Sequence, residues 1–466
     1  MSSEHPESAS PATVRGGEAD RTALARSLRA EIMRLAWPAI LEYSLHTMVW
    51  LADVAFVGRL GAEALSATGL GGQVYFFVLF VFGSVGVAAT AMISRRVGAG
   101  RAEEASRIAA QLTTIAFVLG IVVTGLMWLL APGIFGATGL GPGVSAMGVS
   151  YLRIISLGAP LFLMRSVLAG AMHGFGDTRT PMILAGASGV FNVVADFILI
   201  QGRLGFPRMG VAGAATASAA AHVLGAALTI LVVARGWTRA RVHLRGWLSF
   251  ERPTMATLAR LALPASGEHL LTDLARTLGV FIVARLGAVA MGAHEVTAAA
   301  ESLSFMPAWG FAIATSIVVG QNLGRGSPER AAVAVREAVR LSLVFGLSMA
   351  ALFILLPQPL VSLFTTDTGV VAIGTRLLRI AGFAQPFLAV GGVFGGALRG
   401  AGDTRSPMLA GGVSSWAVRL AATYVTIMVL GLPVDWVWWA MTADWAVRLA
   451  WLWLAYRRGG WQDITV

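Results

Sequence analysis

Apolar runs of twenty or more residues, separated by short polar turns, fill this chain from about residue 34 to residue 456. A helix that crosses a bilayer needs about 20 mostly apolar residues. Twelve segments have that length: 34–57, 68–93, 106–131, 146–172, 180–201, 211–234, 257–284, 293–319, 331–356, 372–398, 406–430 and 433–456. The pattern predicts an all-α integral membrane protein with twelve transmembrane helices. Residues 1–30 are polar and hold no apolar core of a signal peptide, so a disordered cytoplasmic tail is expected there.

The two halves repeat the same motifs in one register. Arg34-Leu35-Ala36-Trp37-Pro38 returns as Arg260-Leu261-Ala262-Leu263-Pro264, an offset of 264 − 38 = 226. At the same offset Glu42 returns as Glu268, and Val57-Gly58-Arg59-Leu60-Gly61 as Val283-Ala284-Arg285-Leu286-Gly287. Gly176-Asp177-Thr178-Arg179-Thr180-Pro181-Met182 returns as Gly402-Asp403-Thr404-Arg405-Ser406-Pro407-Met408. Several motifs in one register mark a duplicated unit. Six spans per copy return the chain to its starting side, so the copies run parallel. The expected plan is two pseudo-symmetric six-helix lobes about an axis along the membrane normal. The boundaries are an N-lobe at 31–234, a cytoplasmic linker at 235–256, a C-lobe at 257–456 and a tail at 457–466. Trp237, Trp247 and Phe250 stand among arginines in the linker, which reads in part as an interfacial amphipathic segment.

Composition agrees with membrane burial. The chain is 56% hydrophobic and 13% charged, against about 25% charged for a soluble domain. Its mean hydropathy is +0.73. The formal charge is +11, and all 35 basic residues are Arg. Arg95, Arg96, Arg101, Arg107, Arg179, Arg235, Arg325 and Arg405 lie in one set of loops, whereas the opposite loops hold Arg59, Arg203, Arg208 and Arg285. The positive-inside rule then puts both termini in the cytoplasm of a cell with this protein in its plasma (inner) membrane. It also makes membrane lipids, and not nucleic acid, the partner of these charges. The chain has no Cys, so disulfides, thiolate metal sites and catalytic thiols are excluded. No phosphate-binding glycine loop with Lys, zinc-helix motif or nucleophile elbow is present, and the chain does not read as an enzyme. Without an ATPase signature, transport must draw on an ion gradient. No cofactor is expected beyond that ion.

Acids inside a membrane cost ~3 kcal/mol each at the bilayer centre and need a reason. The first span holds Glu42, His46 and Asp53 on one helical face. The fifth holds Asn192 and Asp196, one turn apart in an otherwise apolar stretch with no base nearby. A carboxylate so placed is expected to take a proton near neutral pH. The seventh span holds Glu268, His269, Asp273 and Arg276, and the eighth Glu295 and Glu301. Asp273 and Arg276 have the spacing to neutralise each other. His46, His222 and His269 read first as packed side chains. Small-xxx-small pairs such as Gly170 with Gly174 and Gly392 with Gly396 favour close helix packing. Pro38, Pro160, Pro264 and Pro386 are candidate kinks. Thr180 and Ser406 are expected to cap the helices that follow, with Pro181 and Pro407 at the first position.

These residues resemble the MATE family, multidrug and toxic compound extrusion, over about residues 30–456. Pro38, the Asp53–Gly61 run, the Gly98 and Gly324 loops and Gly170–Pro181 with its echo carry the likeness. The resemblance implies a central cleft and export of organic cations or other amphipathic compounds against inward proton or sodium flow. It looks closest to the DinF-like branch, whose pattern Asp53, Asn192 and Asp196 match. The NorM-like branch uses acids in the seventh and tenth helices. Glu268 fits the first, but the tenth span has none. Coupling is therefore expected at Asp53, Asn192, Asp196 and Thr216, with Pro38 as hinge of the first helix. Glu42, Tyr43, Trp50, Glu268 and Asp273 are the candidate cleft residues for a small, cationic organic substrate. No firm metal site is expected, although Asp53, Asn192 and Asp196 also suit sodium. Two alternatives are a sodium-coupled exporter of this family and a lipid-linked precursor flippase of the same superfamily. A flippase would need basic residues for a pyrophosphate, with Arg153, Arg165, Arg276, Arg419 and Arg448 as candidates. The protein is expected to be a monomer.

Overall fold

A computed structural model describes residues 11–238 and 251–465, with side chains described from residue 20. Most of the expected linker, including Trp247 and Phe250, lies outside the described residues. The first half forms α1 (Pro11–Gly58), α2 (Ala62–Gly98), α3 (Ala102–Gly136), α4 (Pro142–Ser156), α5 (Ala159–Gly174), α6 (Arg179–Gln201) and α7 (Val211–Ala234). The second forms α8 (Arg252–Ala284), α9 (Ala288–Gly324), α10 (Pro328–Leu355), α11 (Pro357–Ser362), α12 (Thr368–Ala401), α13 (Arg405–Val413), α14 (Ala421–Tyr424) and α15 (Asp435–Arg457). Among the described residues nine helical stretches are long and apolar enough to cross a membrane. The pair α4 and α5, bent by 46°, makes a tenth. The charged rods α8 and α15 complete the twelve. Glu268, Asp273 and Arg276 sit along α8, and Asp444 and Arg448 along α15.

Several expectations change. The tail expected to be disordered over 1–30 is helical from Pro11, continuous with the first span. Leu28 and Ile32 are fully buried against α9, α10 and α12, and Arg29 reaches Glu337 at 2.7 Å. Burial of that apolar face against the other lobe is what orders the segment. The proline kinks also divide unequally. The chain breaks at the start of α5, beside Pro160, but α1, α8 and α12 run through Pro38, Pro264 and Pro386. The caps are supplied by the aspartates. Asp177 accepts from the Thr180 amide at 3.1 Å and its hydroxyl at 2.7 Å, and Asp403 does the same for Ser406 at 2.9 and 2.6 Å. Thr180 and Ser406 are therefore donors to the cap, because a carboxylate two residues before the helix is the stronger acceptor.

The duplicated sequence builds duplicated contacts. Within the first lobe, a Cβ on Gly170 of α5 would lie 2.4 Å from the Gly86 carbonyl oxygen of α2. In the second, a Cβ on Gly396 of α12 would lie 2.1 Å from the Ala312 oxygen of α9. These are equivalent positions (396 − 170 = 312 − 86 = 226). Lipid tails supply no hydrophobic drive between helices, so backbone approach over small residues carries the packing.

The lobes meet by the same rule. A Cβ on Gly98 would fall 2.0 Å from the Gln321 oxygen, and one on Gly324 would fall 2.2 Å from the Arg95 oxygen. Gly98 matches Gly324 and Arg95 matches Gln321 at the 226 offset, so the contact is reciprocal, as a two-fold axis requires. This seam lies at the end that carries both termini, where the Ile464 carbonyl accepts from Arg95.

Gly170→Ala and Gly396→Ala should each lower the detergent melting temperature, at a cost of about 1–3 kcal/mol for forced overpacking. Gly69→Ala, in open space on α2, should leave it unchanged or slightly raised.

Candidate functional site

Helix α6 presents Asn192 and Asp196 on its inner face, 3% and 0% exposed. Their neighbours are α1, which carries Asp53, and α7, which carries Thr216 and Ser218. In the amide orientation that satisfies its surroundings, Asn192 donates to Asp53 Oδ1 at 2.9 Å and accepts from the Ser218 amide at 3.3 Å. The Asp53 and Asp196 carboxylates lie within hydrogen-bond reach of each other, yet neither Asp196 oxygen has an N–H or O–H donor. Two carboxylates bond only through a hydrogen that one of them carries. The arrangement is thus a receptor for one proton, or for a small cation held by oxygens. Tyr151 of α4 stands within electrostatic range of both acids. Thr216, expected to join them, spends its hydroxyl on the Ala212 carbonyl at 2.7 Å. A crevice of about 410 Å³ opens at this end of the lobe, lined by Leu60, Ala64, Met147, Ser150, Arg208 and Ala212.

Four of the other acids are paired, whereas Glu295 and Glu301 of α9 form no ion pair among the described residues. Glu42 is 6% exposed and meets His173 of α5, with Oε2 3.2 Å from Nε2. Glu268 accepts from Arg399 of α12 at 2.6 and 2.8 Å. Asp273 meets Arg276 at 3.2 Å, as its spacing implied. Asp444 of α15, fully buried, meets Arg419 at 2.5 Å and Arg448 at 3.7 Å. Arg419 lies in Ser414–Leu420, a π-helical stretch of the eleventh rod. Such stretches widen a helix and often mark functional positions. Its counterpart in α6 is an unbroken α-helix. Of the expected cleft residues, Glu42 is tied to His173 and Glu268 is held in an ion pair with Arg399, each within its own lobe. Trp50 is half exposed, and Tyr43 sits on α1 facing Trp309 of α9. Behind Trp309 an aromatic group, Phe305 and Trp445, continues at ring separations of 6.2 and 6.4 Å. Arg399 lies over Trp309 and Arg448 over Trp445.

Sequence reading missed Ser218, Tyr151, His173, Arg399 and Asp444. Two of these had a visible signal. His173 and Arg399 are 226 apart, and each lies 131 residues beyond its glutamate.

The MatE family model matches residues 38–198 and 264–425, two segments whose starts differ by 264 − 38 = 226. The chain belongs to the MATE family. Its members are transporters and not enzymes, and this one is a multi-pass membrane transporter. A probable multidrug resistance protein NorM of Thermotoga maritima is 31% identical over 440 residues, 94% of each chain. The multidrug resistance protein PmpM of Pseudomonas aeruginosa is 26% identical, covering 89% of this chain and 87% of its own. Among solved structures, an outward-facing multidrug resistance MATE transporter of the MOP superfamily superposes with a TM-score of 0.87 at 23% identity, covering 95% of this chain and 98% of that one. The fold expected from the sequence is therefore the fold observed. The DinF-like branch rests on Asp53, Asn192 and Asp196 alone, since these relatives bear NorM and PmpM names.

Arg399→Ala should leave Glu268 as an unpaired charge and cost about 3–5 kcal/mol. Replacing both members by Met should recover most of that loss. Thermal unfolding of the single and double variants in detergent measures the difference.

Proposed function

We propose that this protein exports organic cations or amphipathic drugs in exchange for inward protons, by alternating access. The Asp53–Asn192–Asp196 group carries the reading. It pairs a fully buried Asp196 with a partly buried Asp53, with no cationic side chain bonded to either among the described residues, in a lobe that opens at the end away from the termini. The lobes are sealed at the Gly98–Gln321 and Gly324–Arg95 seam, which fits a state open to the outside. A proton entering from there is shared by the two carboxylates and lets the Asn192 amide turn its donor from Asp53 to the Ser218 hydroxyl. Movement of α1 about Pro38 then weakens substrate binding, and release of the proton to the cytoplasm resets the lobe. Each proton crossing inward supplies ~2.3 kcal/mol per 100 mV of membrane potential, the same as one monovalent cation costs on leaving, so export of a cation draws on the pH gradient or on a second proton.

The named relatives are multidrug resistance proteins, which supports drug-like organic substrates here. The proposed placement is the inner membrane, both termini cytoplasmic, as a monomer, in the DinF-like branch. A lipid-linked flippase is less favoured because Arg276, Arg419 and Arg448 are each met by an acid.

In liposomes loaded with a fluorescent cationic dye, an inward proton gradient should drive export and a sodium gradient should not. Asp53→Asn and Asp196→Asn should each reduce the proton-driven rate at least about tenfold, the loss of one 1.4 kcal/mol step. Undiminished proton-driven export by Asp196→Asn overturns the proposal, and export driven by sodium alone replaces the proton with that ion.

A further inference from the structure

The duplication sets two acid–base pairs at equivalent places. Glu42 on α1 meets His173 at the end of α5; Glu268 on α8 meets Arg399 near the end of α12. Both partners match at the 226 offset (268 − 42 = 399 − 173 = 226). The two lobes therefore use one tie with different bases. Arginine keeps its proton throughout, while histidine gains or loses one within the physiological range. The tie is permanent in the C-lobe and switchable in the N-lobe.

Its place gives the switch something to act on. Glu42 stands one turn beyond Pro38 on α1. His173 precedes Gly174, whose carbonyl accepts from Gln321 Nε2 of α9 at 3.0 Å. Gln321 is also the residue against which Gly98 packs. The pair thus joins the proline turn of α1 to the seam between lobes. A cavity of about 20 Å³, lined by Glu42, His46, Arg165 and Thr229, adjoins it. That is room for about one water, enough to deliver a proton. The charged and titratable neighbours are Tyr43 and His46 on α1, Tyr75 on α2, Arg165 on α5 and His222 on α7. Arg179 of α6 lies over Trp37 nearby. Arg165 is the buried cation on the Glu42 side of the pair.

We propose that Glu42–His173 is a second proton-binding site of the N-lobe, distinct from Asp53–Asp196, whose charge state sets whether the inter-lobe seam stays closed. The proposal rests on the proton-coupled reading above. Neutral His173 carries its hydrogen on Nε2 and donates it to Glu42 Oε2. A hydronium proton arriving through this cavity adds to Nδ1, giving an imidazolium and leaving water. The hydrogen bond becomes an ion pair and draws α1 onto the end of α5. Loss of that proton loosens the tie. The closed seam is therefore favoured at low pH and lost as pH rises.

The natural absence of Cys allows spin labels at two introduced positions, Ala99→Cys and Arg325→Cys, which flank the seam. Pulsed EPR distances are then read against pH in the full-length protein in liposomes, in the Asp53→Asn, Asp196→Asn background. The separated fraction should rise with pH, relative to the closed one, by up to about tenfold per unit, the limit for one linked proton. His173→Arg should hold the seam closed at every pH. Glu42→Gln with His173→Gln, a tie that bonds but does not titrate, should also abolish the pH dependence and covers any failure of the arginine variant to fold. Unchanged pH dependence in either variant overturns the proposal and leaves proton-coupled export standing. Dye export that persists in Asp196→Asn overturns the coupling reading, whatever the seam does.

Discussion

A charge inside a bilayer is retained only if something meets it, and this requirement sorts the acids of the two lobes. In the C-lobe Glu268 has Arg399, and Asp444 has Arg419 and Arg448. Arginine stays charged, so these acids are neutralised without any exchange with solvent. In the N-lobe Asp196 faces another carboxylate, and Glu42 faces a histidine. Neither of these acids is met by an arginine ion pair. The lobes thus share a backbone plan and differ in what balances their buried charge.

The shared plan depends on glycine and other small residues. Helices in lipid gain little from burying apolar side chains, so they associate where backbones approach closely. The α2–α5 and α9–α12 crossings use equivalent small residues, and the seam between lobes uses Gly98 and Gly324 reciprocally. A seam made of such contacts has little side-chain interdigitation to break. It separates and recloses with few rotamer changes, which suits a surface that opens once per transport cycle. The ordered start of α1 adds to it, because Leu28 and Ile32 pack on the second lobe while Asp53 belongs to the first. One helix therefore spans both lobes and feels both.

Much of this was legible in the residues. Apolar run length gave the twelve rods, and the 226 offset gave the two lobes, because both signals are local or periodic. The meeting of Asp53 with Asn192 was readable because each lies on one face of its own helix. What escaped were pairings over long separations. Tyr151 and Ser218 are ordinary residues on apolar helices, and only the packing of α4, α6 and α7 brings them to the acids. Thr216, expected at the site, returns its hydroxyl to its own helix, as threonine does when no better acceptor faces it. The helical start of α1 escaped because its sequence is polar on average and shows its narrow apolar face only against α9 and α10.

Divergence at a few paired positions is enough to make the lobes unequal. Ser218 corresponds to Asp444, His222 to Arg448, His173 to Arg399 and Asp196 to Ala422, each at 226 residues. At two of these positions, 173/399 and 222/448, the C-lobe has arginine where the N-lobe has histidine. In the acid positions the C-lobe has an aspartate only where arginines surround it, and lacks one where the N-lobe leaves it exposed to exchange. On the proposed proton coupling, a duplicated scaffold needs no new fold to acquire direction: a few changed residues at paired positions give one half acids without arginine partners and the other half arginine-paired ones.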